Sequence, residues 1–444
     1  MLFKNYDALI LNGNTPLLQQ KRKNILEMFS AAVETVQPYR VVKELFHGSE
    51  LTFPSESIDL TSFDHVYLVG FGKASIGMAQ AVCDTTRITR GVVITNDHNA
   101  TVTHDTVEVV VGGHPLPNEG SISGTEKILD LLKDLTENDC VLVLISGGGS
   151  SLFCKPRVPL SDFQQTIDFL IRSGATIEEI NTVRKHLSFV KGGQLAQQTK
   201  ATMFSLIISD VIRDPISSIA SGPTAPDQTT YRDAEEILHR YHMWKTLPGT
   251  VRSVIGKGIK GELPETLKKD DSGFNNVFNF IIANNEQACN AAVKKARELG
   301  YDTRLITTSL VGEAQTLGRY LVGRVKNSLV QENAAFITGG EPTVIVQGAG
   351  IGGRNQELVL GCLEDIAGTE MVLASFATDG IDGNSPAAGA IADGNSLERA
   401  KKKHMLPSQY QKNNDSYRFF HTLKDTLQTG STGTNVMDIQ IILQ

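Results

Sequence analysis

A run of glycines and serines follows six consecutive apolar residues in the stretch C-V-L-V-L-I-S-G-G-G-S-S, residues 140–151. The apolar run, Cys140 to Ile145, predicts a strand buried on both faces of a parallel sheet. Glycines let the backbone approach a ligand closely, convergent N–H groups bind anions, and serine hydroxyls add donors. The stretch is therefore a candidate phosphate-binding loop, and a glycine-rich turn without a ligand is the alternative. The candidate loop residues are Gly147, Gly148, Gly149, Ser150 and Ser151.

A lysine lies in a second glycine-containing turn, G-F-G-K-A-S-I-G, residues 70–77. Because the turn joins a predicted strand to a predicted helix, the ammonium group of Lys73 and the helix N-terminus would point the same way. Both attract phosphate or carboxylate. The spacing is not that of a Walker A loop, G-x-x-x-x-G-K-[ST]. Lys73 is therefore a candidate anion-binding residue, and an ordinary turn with an exposed lysine is the alternative.

A third glycine-rich segment, residues 348–353, matches G-x-G-x-x-G between a predicted strand and a predicted helix. This context permits a dinucleotide-binding interpretation. Two features argue against it: Arg354 lies where that fold places a pyrophosphate, and the nearest acid, Glu370, would begin a strand rather than end one. A planar guanidinium can hold two phosphate oxygens at once. Arg354 is therefore a candidate contact for a transferring phosphoryl group.

Acidic residues follow several predicted strands. Carboxylates beside phosphate loops typically hold Mg²⁺ or accept a hydroxyl proton. Each could instead cap a turn, since D-G pairs are common in turns. The four candidates are Asp210, Asp214, Asp379 and Asp382.

A predicted helix and its exit carry a cationic group, which is either an anion site or a solvated helix face. Its members are Asn181, Arg184, Lys185 and Lys191. His114, in G-G-H-P-L-P, is a further candidate ligand contact, with an ordinary turn histidine as the alternative.

The segments that carry these residues alternate between strands and helices from residue 65 onwards. Alternation of this kind predicts parallel α/β layers with ligands beyond the carboxyl ends of the strands. A polar run at about residues 256–276 is the predicted linker. We therefore predict an α/β fold of two domains. A Rossmann-like N-terminal domain with a parallel sheet spans residues 1–258, a second α/β domain spans residues 275–444, and the active site lies in the cleft between them.

Composition narrows the classes of function. A length of 444 residues exceeds one ordinary core, and a formal charge of −7 argues against nucleic-acid binding. The start, M-L-F-K-N-Y-D, shows no signal-peptide pattern, and no run of eighteen apolar residues occurs. The five cysteines are scattered without a C-x-x-C pair, which is typical of free thiols in a reducing compartment. We expect a cytoplasmic protein without nucleic-acid or membrane partners.

Seven motifs, taken together and in order, resemble those of the class II glycerate kinases. They are G-F-G-K-A-S, G-G-H-P-L-P-N-E-G-S, I-S-G-G-G-S-S-L, N-T-V-R-K-H-L-S-x-x-K-G-G-Q-L-A, S-D-V-x-x-D-P-x-x-x-I-A-S-G-P-T, G-G-E-P-T-V and G-G-R-N-Q-E-L. The resemblance extends from residue 25 or so to the C-terminus. It implies a second domain of the MOFRL type.

The resemblance also implies ATP-dependent phosphorylation of D-glycerate with Mg²⁺ or another divalent cation. The lysine and arginine regarded as catalytic in the family fall on Lys73 and Arg354. The expected substrate contacts are Lys73, Arg184, Arg354 and Asp379, and the expected metal ligands are Asp210 and Asp214. The expected nucleotide contacts are Gly147, Gly148, Gly149, Ser150, Ser151, Glu341 and Asn355.

The resemblance favours 2-phosphoglycerate as the product, and transfer to the 3-hydroxyl group is an alternative. Another alternative is an NAD(P)H-dependent hydroxypyruvate reductase, for which the G-x-G-x-x-G spacing is the only support. The last alternative is a protein that binds sugar phosphates or nucleotides without catalysis. The sequence leaves the oligomeric state open, and a homodimer is compatible with it.

Overall fold

The computed structural model describes residues 1–54, 56–328 and 333–444. The strands are β1 (Phe46–His47), β2 (Glu50–Thr52), β3 (Ser57–Asp59), β4 (His65–Phe71), β5 (Arg90–Thr95), β6 (Val107–Val111), β7 (Asp139–Ile145), β8 (Thr202–Ile208), β9 (Val277–Ala283), β10 (Asp302–Leu310), β11 (Ala334–Gly340), β12 (Val372–Ala377), β13 (Gly389–Asp393), β14 (Thr426–Leu427) and β15 (Asp438–Leu443).

The helices are α1 (Tyr6–Leu11), α2 (Pro16–Thr35), α3 (Pro38–Lys43), α4 (Ser75–Thr85), α5 (Glu119–Leu132), α6 (Gly149–Leu152), α7 (Leu160–Arg172), α8 (Ile177–His186), α9 (Tyr231–Arg240), α10 (Gly249–Ile259), α11 (Asn285–Glu298), α12 (Ala314–Lys326), α13 (Arg354–Gly361), α14 (Leu363–Ile366), α15 (Ser396–Lys402), α16 (Pro407–Lys412) and α17 (Ser416–Leu423). These elements form two compact units. The first is Pro38–Ile282, and the second combines Met1–Gln37 with Ala283–Gln444.

The first unit contains a six-stranded sheet in the order β6-β5-β4-β7-β8-β9. The strands from β6 to β8 pair in parallel. All residues of β7 are buried, as a strand covered on both faces requires. The chain enters the sheet at β4, runs outward to β6, and then continues on the other side of β4 with β7. The winding therefore reverses between β4 and β7, as in Rossmann-like folds, where ligands bind at such a reversal.

Four helices of the first unit, α7 to α10, pack around an apolar cluster of their own. It includes Phe163, Val183, Leu238 and Val251. A capping box between Thr176 and Glu179 fixes the start of α8. The helix that carries Asn181 and Arg184 is therefore held at its start as well as along one face.

The second unit contains a mixed sheet in the order β10-β11-β15-β12-β13-β14. Only β10 and β11 pair in parallel; the other pairs are antiparallel. The last strand of the chain, β15, lies in the middle of this sheet, with every residue buried. Asp438 at its start lies opposite Gly340 and Ala377, the last residues of β11 and β12. An acid is thereby placed at the carboxyl ends of two neighbouring strands.

The two units differ from the predicted domains 1–258 and 275–444, because the first 37 residues cluster with the C-terminal part of the chain. Helix α2 buries Ile25 and Phe29 completely. Its Arg22 is also fully buried, and it pairs with Asp393 at 2.6 Å and with Asp425 at 2.8 Å. Both units are α/β, as predicted. In the described part of the chain, no helix is both long and apolar enough to cross a membrane.

Replacing Arg22 with Met is expected to lower the free energy of unfolding by about 3–5 kcal/mol, because it leaves buried carboxylates without their cation. Urea unfolding followed by circular dichroism measures the change. The control is Lys23→Met, since the neighbouring Lys23 side chain is 46% exposed and its ion pair contributes little. Similar small effects of both substitutions would contradict the structural role of Arg22.

Candidate active site

Two loops lie side by side at the carboxyl ends of β4 and β7. The strands pair in register along their whole length, so the loops leave the sheet at the same level. The amide of Lys73 donates to the carbonyl oxygen of Gly147 at 2.9 Å, and the amide of Ala74 donates to Ser146 Oγ at 3.1 Å. These bonds join the two loops, which we call the loop pair, residues 72–74 and 146–151.

The close approach within the loop pair requires glycine at position 72. Its φ of +130° is rarely adopted by residues with a side chain. A Cβ atom there would lie 2.1 Å from Ser146 Oγ and 2.6 Å from the Ser146 carbonyl oxygen. The second glycine of G-x-G-K is therefore needed for the packing of the two loops, whether or not a ligand binds there.

The side chain of Lys73 is exposed, and its stem lies beside Gly148 and His114. A Cβ atom on Gly148 would lie 3.2 Å from Lys73 Cγ and 3.0 Å from the His114 ring. Burial, together with the charge of Lys73, lowers the pKa of His114 to about 4. The imidazole is therefore neutral near pH 7, and Lys73 supplies the positive charge at this point of the loop pair.

A line of hydrogen bonds runs from the loop pair to α8. The hydroxyl groups of Ser150 and Ser221 lie 2.8 Å apart, and Ser221 donates to Asn181 Oδ1 at 3.0 Å. Arg184 donates to the same oxygen at 2.9 Å. Because a hydroxyl group has one proton, Ser150 is the donor to Ser221. The structure thus brings predicted residues of the loop and of the cationic group together.

Ser221 of this line and its neighbour Ala220 hold an uncommon backbone conformation. Ala220 and Ser221 have φ values of +51° and +63°. Non-glycine residues rarely adopt this region, and where they do they concentrate at functional sites.

The rest of the cationic group is buried, so the solvated-face alternative is wrong. Lys191 is fully buried and donates to the carbonyl oxygen of Phe153 at 2.8 Å. Lys185 is buried against Asp227 at 3.1 Å.

The predicted metal ligands follow the strand next to β7. Asp210 and Asp214 come two and six residues after the end of β8. Among the described residues, no group of three or more His, Cys, Asp or Glu side chains is placed to hold a metal ion. Mg²⁺ that arrives with a nucleotide needs fewer protein ligands, because it takes one or two carboxylates together with phosphates and waters. Two carboxylates fit that donor set.

In the second unit, Arg354 begins α13 and is held by two acids. Its guanidinium group donates to both carboxylate oxygens of Asp438, at 2.5 and 3.1 Å, and to Glu341 at 2.6 Å. Asp438 is fully buried, whereas the Arg354 side chain is 32% exposed. Burial raises the pKa of Asp438 to about 7, and the charge of Arg354 opposes that rise. Asp438 and Glu341 thus fix the orientation of the Arg354 guanidinium group, which remains partly exposed.

Asn355 and Asp382 hold the start of α13. Asp382 accepts the backbone amides of Asn355 at 3.0 Å and Gln356 at 2.9 Å. Asn355 is fully buried; its side-chain amide donates to Asp382, and its side-chain oxygen accepts from Ser375 at 2.5 Å. Both of its polar groups are therefore used inside the protein. The prediction that Asn355 contacts the nucleotide needs this correction: its role in the structure is to position the helix that carries Arg354.

The G-x-G-x-x-G segment is packed against its own unit. The amides of residues 347–352 all donate within the protein, and their acceptors belong to Asn384, Asn413, Asn414 and Asp415. A Cβ atom on Gly353 would lie 2.3 Å from Asp382. The glycines therefore allow close packing, and the amides of residues 347–352 are already used within the protein.

A cavity of about 600 Å³ lies beside Arg354, within the size range of small-molecule sites. Glu341, Arg354 and Glu357 belong to its lining, together with the apolar Pro342 and Val344. Burial raises the pKa of Glu357 to about 7. Arg354 thus borders space in which a ligand fits.

The predicted residues fall into two sets. Lys73, the loop Gly147–Ser151 and Arg184 lie together in the first unit, and Glu341 and Arg354 lie together in the second. Asp379 also belongs to the second unit, where its carboxylate accepts the amide of Ile381.

Two residues of these sets were not among those predicted from the sequence. Asp438 could have been predicted, because it is an acid at the start of a mostly apolar strand. Ser221 lies in the motif I-A-S-G-P-T, but nothing in the sequence indicates its long-range contact with Ser150.

Comparisons with known proteins place these residues in a family. Residues 24–256 match a domain of unknown function, DUF4147, and residues 334–438 match the MOFRL family. The chain is 39% identical to a glycerate 2-kinase of Pyrococcus horikoshii, over 94% of this chain and 96% of the relative. It is 40% identical to a D-glycerate 2-kinase of Thermotoga maritima, over 95% and 97%. A crystal structure of a glycerate kinase from Thermotoga maritima matches with a TM-score of 0.85 at 40% identity, covering 96% of this chain and 99% of that one.

Replacing Gly72 with Ala is expected to separate the loop pair and lower the free energy of unfolding by about 1–3 kcal/mol, because alanine is strained at this φ and meets Ser146. Urea unfolding measures the loss. Gly256→Ala is the matched control, since a Cβ atom at this helical glycine meets no atom within 4 Å. Equal stability of the two variants would show that the loops do not need this contact.

Proposed function

The chain belongs to the class II glycerate kinases, the MOFRL family, and we propose that it transfers the γ-phosphoryl group of ATP to the 2-hydroxyl group of D-glycerate. The observation that carries this proposal is the loop pair. An exposed lysine and a glycine–serine loop lie at the carboxyl ends of β4 and β7, where the sheet order reverses. Doubly wound folds bind anionic ligands at this position.

Lys73 and the loop Gly147–Ser151 would hold phosphate oxygens of ATP. Phosphoryl transfer passes through a loose transition state, so the protein contributes mainly positioning and charge neutralisation. Lys73 supplies a mobile point charge on an exposed stem. Because His114 is neutral near pH 7, it adds no second charge at this point and can donate or accept a hydrogen bond.

Arg354 would meet the transferring phosphoryl group with the two guanidinium N–H groups that Asp438 and Glu341 leave unused. A planar guanidinium fixed by a bidentate ion pair needs no reorganisation when charge develops on the phosphoryl oxygens. Glu341 holds a third nitrogen of the same group. We therefore assign Glu341 and Asp438 to the orientation of Arg354.

Asp210 and Asp214 are the residues that would hold Mg²⁺, and the ion would neutralise charge on the β- and γ-phosphate groups. Asp379 remains a proposed substrate contact.

The structure gives the reductase alternative no support, since the amides of residues 347–352 already have acceptors within the protein. Transfer to the 3-hydroxyl group remains the competing outcome for the reaction itself. We also propose a cytoplasmic enzyme, on the ground that all five cysteines are free and four of them are buried. The homodimer stays a prediction.

Replacing Lys73 with Ala is expected to lower kcat/KM for phosphorylation of D-glycerate about 10²–10⁵-fold, because one positioned cation contributes that much to phosphoryl transfer. A coupled assay of ADP release measures the rate, and circular dichroism verifies the fold. Lys245→Ala, at an exposed lysine of the same unit, is the control. Near-normal turnover of a folded Lys73→Ala variant would exclude the proposed role. NADH oxidation with hydroxypyruvate, in place of kinase activity, would favour the reductase.

A further inference from the structure

Two cations near the loop pair have no acidic counter-charge in the described parts of the chain. Arg184, on α8, contacts the neutral Asn181, and Lys191 contacts the carbonyl oxygen of Phe153. Both cations lie close to the buried Cys154, whose thiol is neutral because burial raises its pKa. The pair of cations therefore faces only neutral groups.

Lys185, on the same helix as Arg184, is a buried cation that does have an acidic partner. It is buried to a similar degree as Lys191 and is paired with Asp227 at 3.1 Å. The fold thus supplies an acid to one buried lysine of this region and none to its neighbours. Because, in the described part of the chain, Lys185 is paired with an acid and the neighbouring Lys191 and Arg184 are not, the missing acid is specific to these two cations.

A buried charge without a partner is costly, and proteins ordinarily pair or neutralise it. Burial lowers the pKa of Lys191 to about 7 and that of Arg184 to about 10. No acid among the described residues is placed to offset this effect of burial. An anion bound at Arg184 would supply the counter-charge that the two cations lack. The residues around Arg184 indicate where such an anion would lie.

The accessible member of the pair is Arg184. Lys191 is fully buried behind the loop, whereas Arg184 is only partly buried and uses one nitrogen on Asn181. The remaining guanidinium N–H groups can form the two parallel hydrogen bonds that a planar carboxylate accepts. Lys191 contributes charge from behind and does not touch the ligand.

We propose that Arg184, with Lys191 behind it, binds the carboxylate group of the hydroxy acid that accepts the phosphoryl group. This inference rests on the proposed kinase function and assigns its substrate specificity to one place in the first unit. A carboxylate is favoured over a nucleotide phosphate because the groups beside Arg184 are neutral and suit a hydroxylated carbon chain. These are the Asn181 side-chain amide and the Ser221 hydroxyl group.

The first test separates the two substrates kinetically. Arg184→Gln is expected to raise the KM for D-glycerate about 30-fold or more and to leave the KM for ATP unchanged, since truncating a desolvated charge contact weakens only its own ligand. Arg184→Lys should recover part of the loss, because it keeps the charge and loses the planar fork. Arg172→Gln, at a side chain that is 78% exposed, is the control. A rise in the KM for ATP alone would overturn the assignment to the carboxylate.

The second test needs no turnover and uses thermal unfolding without nucleotide. Lys191→Met is expected to raise the Tm of the ligand-free protein by a few degrees, because it removes an uncompensated charge from the interior. Lys185→Met should lower the Tm, because it leaves Asp227 buried without its cation. The comparison of two buried lysines controls for the loss of a side chain as such.

The ligand arm of this test compares D-glycerate with glycerol. D-glycerate should raise the Tm of the wild-type protein, raise that of Lys191→Met by less, and leave that of Arg184→Gln unchanged. Glycerol at the same concentration should not change the Tm of any of the three proteins. Equal stabilisation of all three proteins by D-glycerate would overturn the inference even if the wild-type protein is an active kinase. An inactive wild-type protein that still shows the expected pattern would instead reject the kinase function and keep the carboxylate site.

Discussion

The register in which β4 and β7 pair sets the geometry of the first unit's site. Two parallel strands that end at the same level bring their following loops into contact, and the bonds from Ala74 to Ser146 and from Lys73 to Gly147 then fix one loop on the other. Glycine at position 72 is the condition for that contact. A shift of one residue between the strands would separate Lys73 from the glycine–serine loop and remove the proposed anion site.

The cations of the two units differ in their partners: acids hold Arg354 in the second unit, whereas neutral groups contact Arg184 and Lys191 in the first. Arg354 is paired with Asp438 and Glu341, so its direction is set before any ligand arrives. Arg184 and Lys191 have only neutral partners in the described residues, so their charge is available to a ligand. In the proposed reaction Arg354 orients the transferring phosphoryl group, and Arg184 binds the anionic acceptor.

Much of this arrangement could be predicted from the sequence. The buried run of β7, the glycine turns and the alternation of elements carry local signals, and they led to the Rossmann-like sheet, to the loop Gly147–Ser151 and to Lys73. The placement of residues 1–37 in the second unit could not be predicted, because it depends on the long-range pairing of Arg22 with Asp393 and Asp425. The G-x-G-x-x-G spacing was ambiguous for the same reason, since the acceptors of its amides lie more than thirty residues away.

The most direct measurement is a ³¹P NMR spectrum of the purified protein incubated with D-glycerate, ATP and Mg²⁺. A new phosphomonoester signal with the chemical shift and proton coupling of 2-phosphoglycerate, growing as ATP is converted to ADP, is the predicted result. A 3-phosphoglycerate signal would retain the kinase and contradict the position of transfer. The absence of any new phosphomonoester with folded protein would contradict the account as a whole.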